Sequence, residues 1–260
     1  MTSLDTSLSA SLIFPDWEVP SRIKSCVTTR QCGVSEVPFD SLNLATHVGD
    51  NAKHVLKNRE MLQHILNMPS CPRWLEQVHG TQVADDHSEA GCVADAGYSK
   101  IPGQVCVVLT ADCLPVFFAS ADGREVAVAH AGWKGLLNGV LEATLEHFEA
   151  AMHEIVCWLG PAIGPQQFEV GPEVREAFLD KAGHNKAGHN REQVDAAFKA
   201  VANDKYLADI YQLATIRLRQ AGVVSVSGGG YCTVTDGERF YSYRRDGQTG
   251  RMASLIWIEN

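Results

Sequence analysis

Three segments place a metal-capable or nucleophilic side chain where a β-prone apolar run gives way to a Gly or Pro turn: WLEQVHGTQV, VLTADCLPVFF and VAVAHAGWKG. His79 precedes Gly80, Cys113 lies two residues before Pro115, and His130 lies two before Gly132. Sites in α/β proteins gather at strand ends, and one Cys with two His matches the N and S donors that Zn²⁺ prefers. Three protein ligands leave a fourth tetrahedral position open to water or substrate, which is the catalytic arrangement. The separations are 34 residues from His79 to Cys113 and 17 from Cys113 to His130, with no CxxC or HExxH element to fix local geometry. Two other readings stand beside the metal. Each His can be bonded to backbone beside a half-buried thiol, or Cys113 can act as a metal-free nucleophile with His130 as its base. Residue types alone do not separate the three.

Polar groups suited to an anion surround these positions. Gly132 and Gly135 bracket Lys134 just before an apolar helical run, so the AGWKG turn can offer backbone N–H groups and an ammonium to an oxyanion, although the P-loop spacing is absent. The segment FYSYRRDGQTGRMASLIWI brings Arg244 and Arg245 together, a guanidinium fork for phosphate or carboxylate or else an exposed turn. Gly228, Gly229 and Gly230 read as a tight turn or a close backbone approach. Glu76, Asp112 and Glu169 are candidate proton carriers, or partners that orient a ligand.

The elements that must position these groups alternate between β-rich and helical runs, which gives a mixed α/β or α+β class. Strands are expected at Trp74 to His79, Val105 to Leu109, Val116 to Ala119, Val126 to His130, Ile155 to Leu159, Val223 to Val226 and Ser254 to Ile258. The spacing of Leu137, Val140, Leu141, Thr144, Leu145 and Phe148 predicts a helix over Leu136 to Met152. A second is expected over Asp204 to Gln220 before Gly222, and a third from Ala52 to Asn67, capped by Asp50 or Asn51 and stopped by Pro69. No linker divides the 260 residues, and one domain is expected over residues 1–260, with 1–24 a variable N-terminal segment. The tandem pentapeptide KAGHNKAGHN reads as an exposed loop, although His184 and His189 are metal-capable.

Composition narrows the classes further. With 22 Lys and Arg against 31 Asp and Glu, the net charge of -9 has the wrong sign for general nucleic-acid binding. No apolar run approaches the roughly 20 residues of a spanning helix, and the N-terminus lacks the basic region of a secretory signal. Eight scattered cysteines read as thiols or metal ligands, with Cys106 and Cys157 in the core. A cytoplasmic protein is expected, with no membrane partner and with a homodimer as the base-rate assembly.

The motifs NLATHVGDN, NREML, WLEQVHG, TADCLPV, AVAHAGWKG, WLGPAIGP, FEVGPEVREAF, DKYLADIYQLA and FYSYRRDGQTGRMAS resemble the YfiH-type laccase-domain proteins, also called polyphenol oxidase-like. The resemblance runs from about Ser25 to Ile258. It implies a single-domain layered sandwich of mixed β-sheets flanked by helices, related to the cytotoxic necrotizing factor fold. It also implies that His79, Cys113 and His130 are metal ligands. Members of the family have been described as copper-dependent oxidases of polyphenols, as purine nucleoside phosphorylases that also deaminate adenosine and cleave methylthioadenosine, and as cell-wall precursor editing factors. No two of the ten His residues are two apart, so the paired HxH elements of a multicopper centre are missing. What the resemblance implies is therefore a zinc-dependent purine nucleoside phosphorylase with adenosine deaminase activity, Cu²⁺ being an alternative metal. Purine nucleosides and phosphate are its expected partners, and Asn43, Arg59, Lys134 and Arg244 its expected substrate-binding residues. The alternatives are an amide hydrolase acting on peptidoglycan precursors and a single-copper oxidase.

Overall fold

A computed structural model describes residues 8–183 and 189–260. Its largest sheet has six strands in the order β11-β7-β5-β6-β3-β2, formed by β2 (Val83–Ala84), β3 (Ala96–Ser99), β5 (Leu114–Ser120), β6 (Val126–Ala131), β7 (Ile155–Leu159) and β11 (Ser225–Gly228). It is mixed: β5 pairs antiparallel with both β6 and β7, whereas β11 runs parallel to β7. A second sheet joins β1 (Ile23–Val27), β12 (Met252–Ile258) and β4 (Cys106–Thr110), and a third, smaller one joins β8 (Glu169–Val170), β10 (Tyr206–Ala208) and β9 (Phe198–Ala200). The helices are α1 (Ala52–Ile65), α2 (Trp133–Asn138), α3 (Val140–Leu145), α4 (Pro172–Gly183), α5 (His189–Asp195), α6 (Ile210–Gln220) and α7 (Tyr243–Asp246).

The period of two along a strand explains why β5 is buried on both faces. Leu114, Val116 and Phe118 face a core completed by α2, α3, α4 and α6, while Phe117 and Ala119 face the second sheet. That second sheet does the same: Cys106, Val108 and Ile256 meet the six-stranded sheet, while Val107, Leu255 and Trp257 pack under Leu42, Leu44 and Leu62 of α1. The result is a layered sandwich, helix and loop against sheet, sheet against sheet, sheet against helices.

Several local expectations are corrected. The run Leu136 to Met152 is not one helix: Gly139 at φ +108 ends α2 in a left-handed turn, and α3 stops at Leu145. Glycine carries this conformation without the Cβ penalty. The apolar stripe survives the break, because Val140, Leu141, Leu145 and Phe148 are all buried. Residues Tyr206–Ala208 are strand, and α6 begins only after Asp209, whose carboxylate accepts the Gln212 N–H. Trp74 to His79 is not a regular strand; it makes one isolated bridge, Glu76 with Val93, and the Gln77 side chain pairs with both the N–H and the carbonyl of Leu109. The last strand of the six-stranded sheet starts at Ser225 instead of Val223. For α1 the cap is Asn51, since its side chain accepts from Lys53 N, and Asp50 is engaged with Ser35 and Asn43. The tandem pentapeptide is not all loop: residues 181–183 close α4 and residues 189–190 open α5, while residues 184–188, His184 among them, lie outside the described residues.

Phe117 sits between the two sheets, fully buried, edge-on to Trp17 and Trp158 at 6.2 and 5.6 Å. Phe117→Ala should destabilise the protein by about 3–5 kcal/mol through lost burial and the cavity left behind. Urea unfolding measures this, and a loss below about 1 kcal/mol would mean that the sheets do not meet there.

Candidate metal centre

Three elements of separate origin converge beside the ends of β4, β5 and β6. His79 lies on the loop after Gln77, in a left-handed conformation at φ +61 that a non-glycine residue holds only when its surroundings enforce it. The enforcing group is Asp95, just before β3 and fully buried. Its Oδ1 accepts the His79 N–H at 2.9 Å, and its Oδ2 accepts the N–H groups of Val78 and Gly80 at 3.2 and 2.6 Å. Cys113 occupies the turn from β4 to β5, and His130 the penultimate position of β6, opposite Pro115.

Asp95 also bonds the Nδ1 of His130 at 2.8 Å, and the His130 backbone N–H donates to the Asp95 carbonyl at 2.7 Å. With Nδ1 engaged, Nε2 is the nitrogen that faces His79 and Cys113. One donor atom from each of His79, Cys113 and His130 lies within 4.8 Å of the others; Cys113 Sγ is 3.8 Å from His79 Nε2, and the two imidazoles meet edge-on at 4.7 Å. Gly132 makes room for them. A Cβ there would come within 2.8 Å of the His79 ring and 3.0 Å of the Cys113 sulfur.

Charge is distributed to match. Burial alone would raise the Cys113 thiol, but His130 and His79 outweigh it and bring it down to about 6. Burial opposes charge on His130 as well, yet Cys113 and Asp95 carry it up to about 9. Asp95 is held below the usual carboxylate range because the bonds from His130 and Gly80 outweigh its desolvation. Without metal this is a thiolate–imidazolium pair; once the Nε2 proton of His130 leaves, the thiolate and two imidazoles, one of them held at Nδ1 by Asp95, form a donor set that fits one Zn²⁺ or Cu²⁺ ion.

The centre opens on a cavity of about 360 Å³. Lys134 and Arg244 line it together with Trp133, Phe168, Ile163 and Tyr243. Lys134 lies 5.6 Å from the centre of the Trp133 ring. Arg244 donates to the carbonyls of Gln167 and Glu169 at 3.2 and 3.1 Å, which pins its guanidinium beside Phe168 while leaving further N–H groups unengaged.

The remaining residues singled out in the sequence fall elsewhere. Asn43 is fully buried; its amide bonds Ala45 and Asp50 and accepts the Arg251 N–H, so it shapes a loop and does not line the cavity. Arg59 is also outside the lining, stacked 3.7 Å over Trp74 with Nε and Nη2 on the Leu44 carbonyl. Arg245 is spent on the carbonyls of Thr233, Val234 and Phe240 and on Asp246. Gly228 permits close packing, since a Cβ there would meet the Leu159 carbonyl at 2.4 Å. Glu76 and Glu169 are exposed; Asp112, by contrast, lines the cavity, with one oxygen accepting from the Thr233 hydroxyl and the other from the Arg244 backbone N–H. Asp95 carries no signal in the sequence: it is a lone Asp among the small apolar residues of VADAG, and its meaning appears only when β3 and β6 pair.

Fold and site together define a class: an α/β layered sandwich carrying one Cys/His/His donor group at the mouth of a cationic, aromatic cavity. The model of the family described as multi-copper polyphenol oxidoreductase laccase matches residues 24–259, and the chain belongs to that family. Among the described residues a single group of three His and Cys donors converges, too few ligands for several coppers. The chain is 52% identical over 254 residues to a protein of Escherichia coli strain K12 named purine nucleoside phosphorylase YfiH, covering 96% of this chain and 99% of that one. It is 50% identical over 247 residues to a Pseudomonas aeruginosa protein named purine nucleoside phosphorylase PA4543, covering 95% and 98%. Among solved structures, Neisseria meningitidis protein NMB0706 superposes with a TM-score of 0.89 at 43% identity, covering 96% of this chain and 100% of that one.

Asp95→Asn should weaken zinc binding by about 10–100-fold, because its amide NH2 must face either the Val78 and Gly80 N–H groups or those of His79 and His130, which loosens the turn and the His130 orientation. Competition with a chromogenic chelator measures it, and unchanged affinity would remove Asp95 from the centre. Gly132→Ala should also weaken retention of the metal, by pushing His79 and Cys113 apart.

Proposed function

We propose that this protein is a zinc-dependent purine nucleoside phosphorylase acting on adenosine, inosine and S-methyl-5'-thioadenosine, with accompanying adenosine deaminase activity. The observation that carries this reading is the contact between the His79, Cys113 and His130 group and a cavity whose polar lining includes Lys134 and Arg244. The names of relatives at about half identity over nearly the whole chain support the substrate class.

Phosphorolysis replaces the bond from ribose to base with a bond from ribose to phosphate, so the site must hold an anion against the anomeric carbon and keep the base in place. Lys134 gives a point charge for the phosphate, and Arg244 presents N–H donors already oriented by two carbonyls. Trp133 and Phe168 give flat apolar surfaces on which a purine can stack. Zinc held by His79, Cys113 and His130 would supply Lewis acidity, which suits the activation of water for deamination. Cu²⁺ suits the same donors, and a single-copper oxidase activity would be a consequence of that exchange. The eight cysteines are free thiols, the state a reducing compartment maintains, which supports a cytoplasmic location.

A second reading rests on one specific observation. Cys113, His130 and Asp95 form a nucleophile, base and orienting carboxylate, the order used for acyl transfer. That arrangement supports an amide hydrolase acting on peptidoglycan precursors. The two are separated by incubating zinc-loaded protein with inosine, with and without phosphate, beside Cys113→Ala. The expected result is base release that requires phosphate and falls by at least about 100-fold in the variant. Release at the wild-type rate from Cys113→Ala would overturn the reading, and an acyl adduct on Cys113 after a parallel incubation with a muramoyl amino-acid amide would establish the second.

A further inference from the structure

We propose that Asp112 is a positioning residue, a strut that fixes the wall of the cavity carrying Arg244 relative to Cys113. The proposal rests on the phosphorolytic reading for its kinetic test alone. Asp112 immediately precedes Cys113 and is only 9% exposed, in a left-handed conformation at φ +86 that Asp and Asn tolerate better than most residues. Three bonds leave it for three remote segments. Its Oδ1 accepts the Thr233 hydroxyl at 2.5 Å, its Oδ2 accepts the Arg244 N–H at 2.6 Å, and its carbonyl accepts the Ile163 N–H at 2.9 Å.

These partners brace one another. Thr233 N donates to the Ala162 carbonyl, Arg245 donates to the Thr233 carbonyl, and the Arg244 guanidinium reaches the carbonyls on either side of Phe168. Ile163, Phe168, Tyr243 and Arg244 are all cavity-wall residues, so the carboxylate of Asp112 closes a ring of hydrogen bonds around that wall. Asp112 itself reaches the cavity, but each of its carboxylate oxygens is already held by a short hydrogen bond to the wall, from Thr233 and from Arg244. A carboxylate beside a catalytic thiol invites assignment as a proton carrier; here the geometry assigns it to placing Arg244.

The two roles give opposite results in Asp112→Asn. Its amide can accept from Arg244 with oxygen and donate to the Thr233 hydroxyl with nitrogen, so a strut is preserved while a proton carrier is destroyed. Asp112→Gly tolerates φ +86 and removes the strut without backbone strain. In zinc-loaded protein, Asp112→Gly should raise the KM for phosphate by about tenfold or more, with kcat changed by less than about threefold and zinc content unchanged. Asp112→Asn should restore the phosphate KM to within about threefold of wild type. Amide hydrogen exchange over residues 242–247 should be faster in Asp112→Gly and near wild type in Asp112→Asn. Loss of turnover by about 10²–10⁴-fold in Asp112→Asn would overturn the proposal in favour of proton transfer. Unchanged exchange in Asp112→Gly would also overturn it. If the wild-type protein phosphorolyses no nucleoside, the functional reading fails and the exchange comparison alone decides the strut.

Discussion

A single buried carboxylate organises the centre. Asp95 is withdrawn from water and compensated by three backbone N–H groups from Val78 to Gly80 and by the His130 ring. A buried charge is tolerated when it is this fully bonded, and removing a partner leaves the desolvation cost exposed. Because the same group holds His79 in a left-handed turn and sets the His130 tautomer, two donors on unrelated elements are placed by one constraint. Cys113 completes the group from the β4 to β5 turn, and Gly132 leaves the space that lets it approach.

The sandwich makes that constraint possible. Asp95 leads directly into β3, which pairs with β6, and β6 pairs with β5, so the carboxylate, His130 and Cys113 are spaced by sheet geometry. A one-residue slip of a strand buried on both faces would exchange the side chains packed into the two cores, Leu114, Val116 and Phe118 for Phe117 and Ala119, and this fixes the register and with it the spacing. The opposite wall comes from the tail of the chain, where Tyr243 and Arg244 return to the cavity after crossing more than a hundred residues of sequence. Asp112 ties that tail to the residue before Cys113. The His79, Cys113 and His130 group and the cavity wall carrying Arg244 are thus mechanically continuous.

Much of this could be read from the sequence, and the failures have physical causes. Runs such as IVCWL and VFFA are β-prone and apolar, and their strands lie where the pattern placed them. His79, Cys113 and His130 stood out because each closes such a run at a turn, and the structure draws their donor atoms together. The stripe over Leu136 to Phe148 misled on helix length, because two short helices separated by a left-handed Gly139 bury the same residues as one long helix. Trp74 to His79 misled because Gln77 satisfies Leu109 with side-chain groups where a strand would use backbone. Asn43 and Arg59 have residue types suited to substrate, yet their hydrogen bonds are directed at the loop of Leu44 and Ala45. Asp95 could not be read at all, since a buried carboxylate is meaningful only through partners brought to it by strand pairing.

X-ray absorption at the zinc edge of the metal-loaded protein tests the central claim most directly. The account predicts one sulfur and two imidazole nitrogens around the ion, with a remaining light-atom neighbour, and disappearance of the sulfur in Cys113→Ala. A shell of oxygen atoms alone, or one with no sulfur in the wild-type protein, would contradict it.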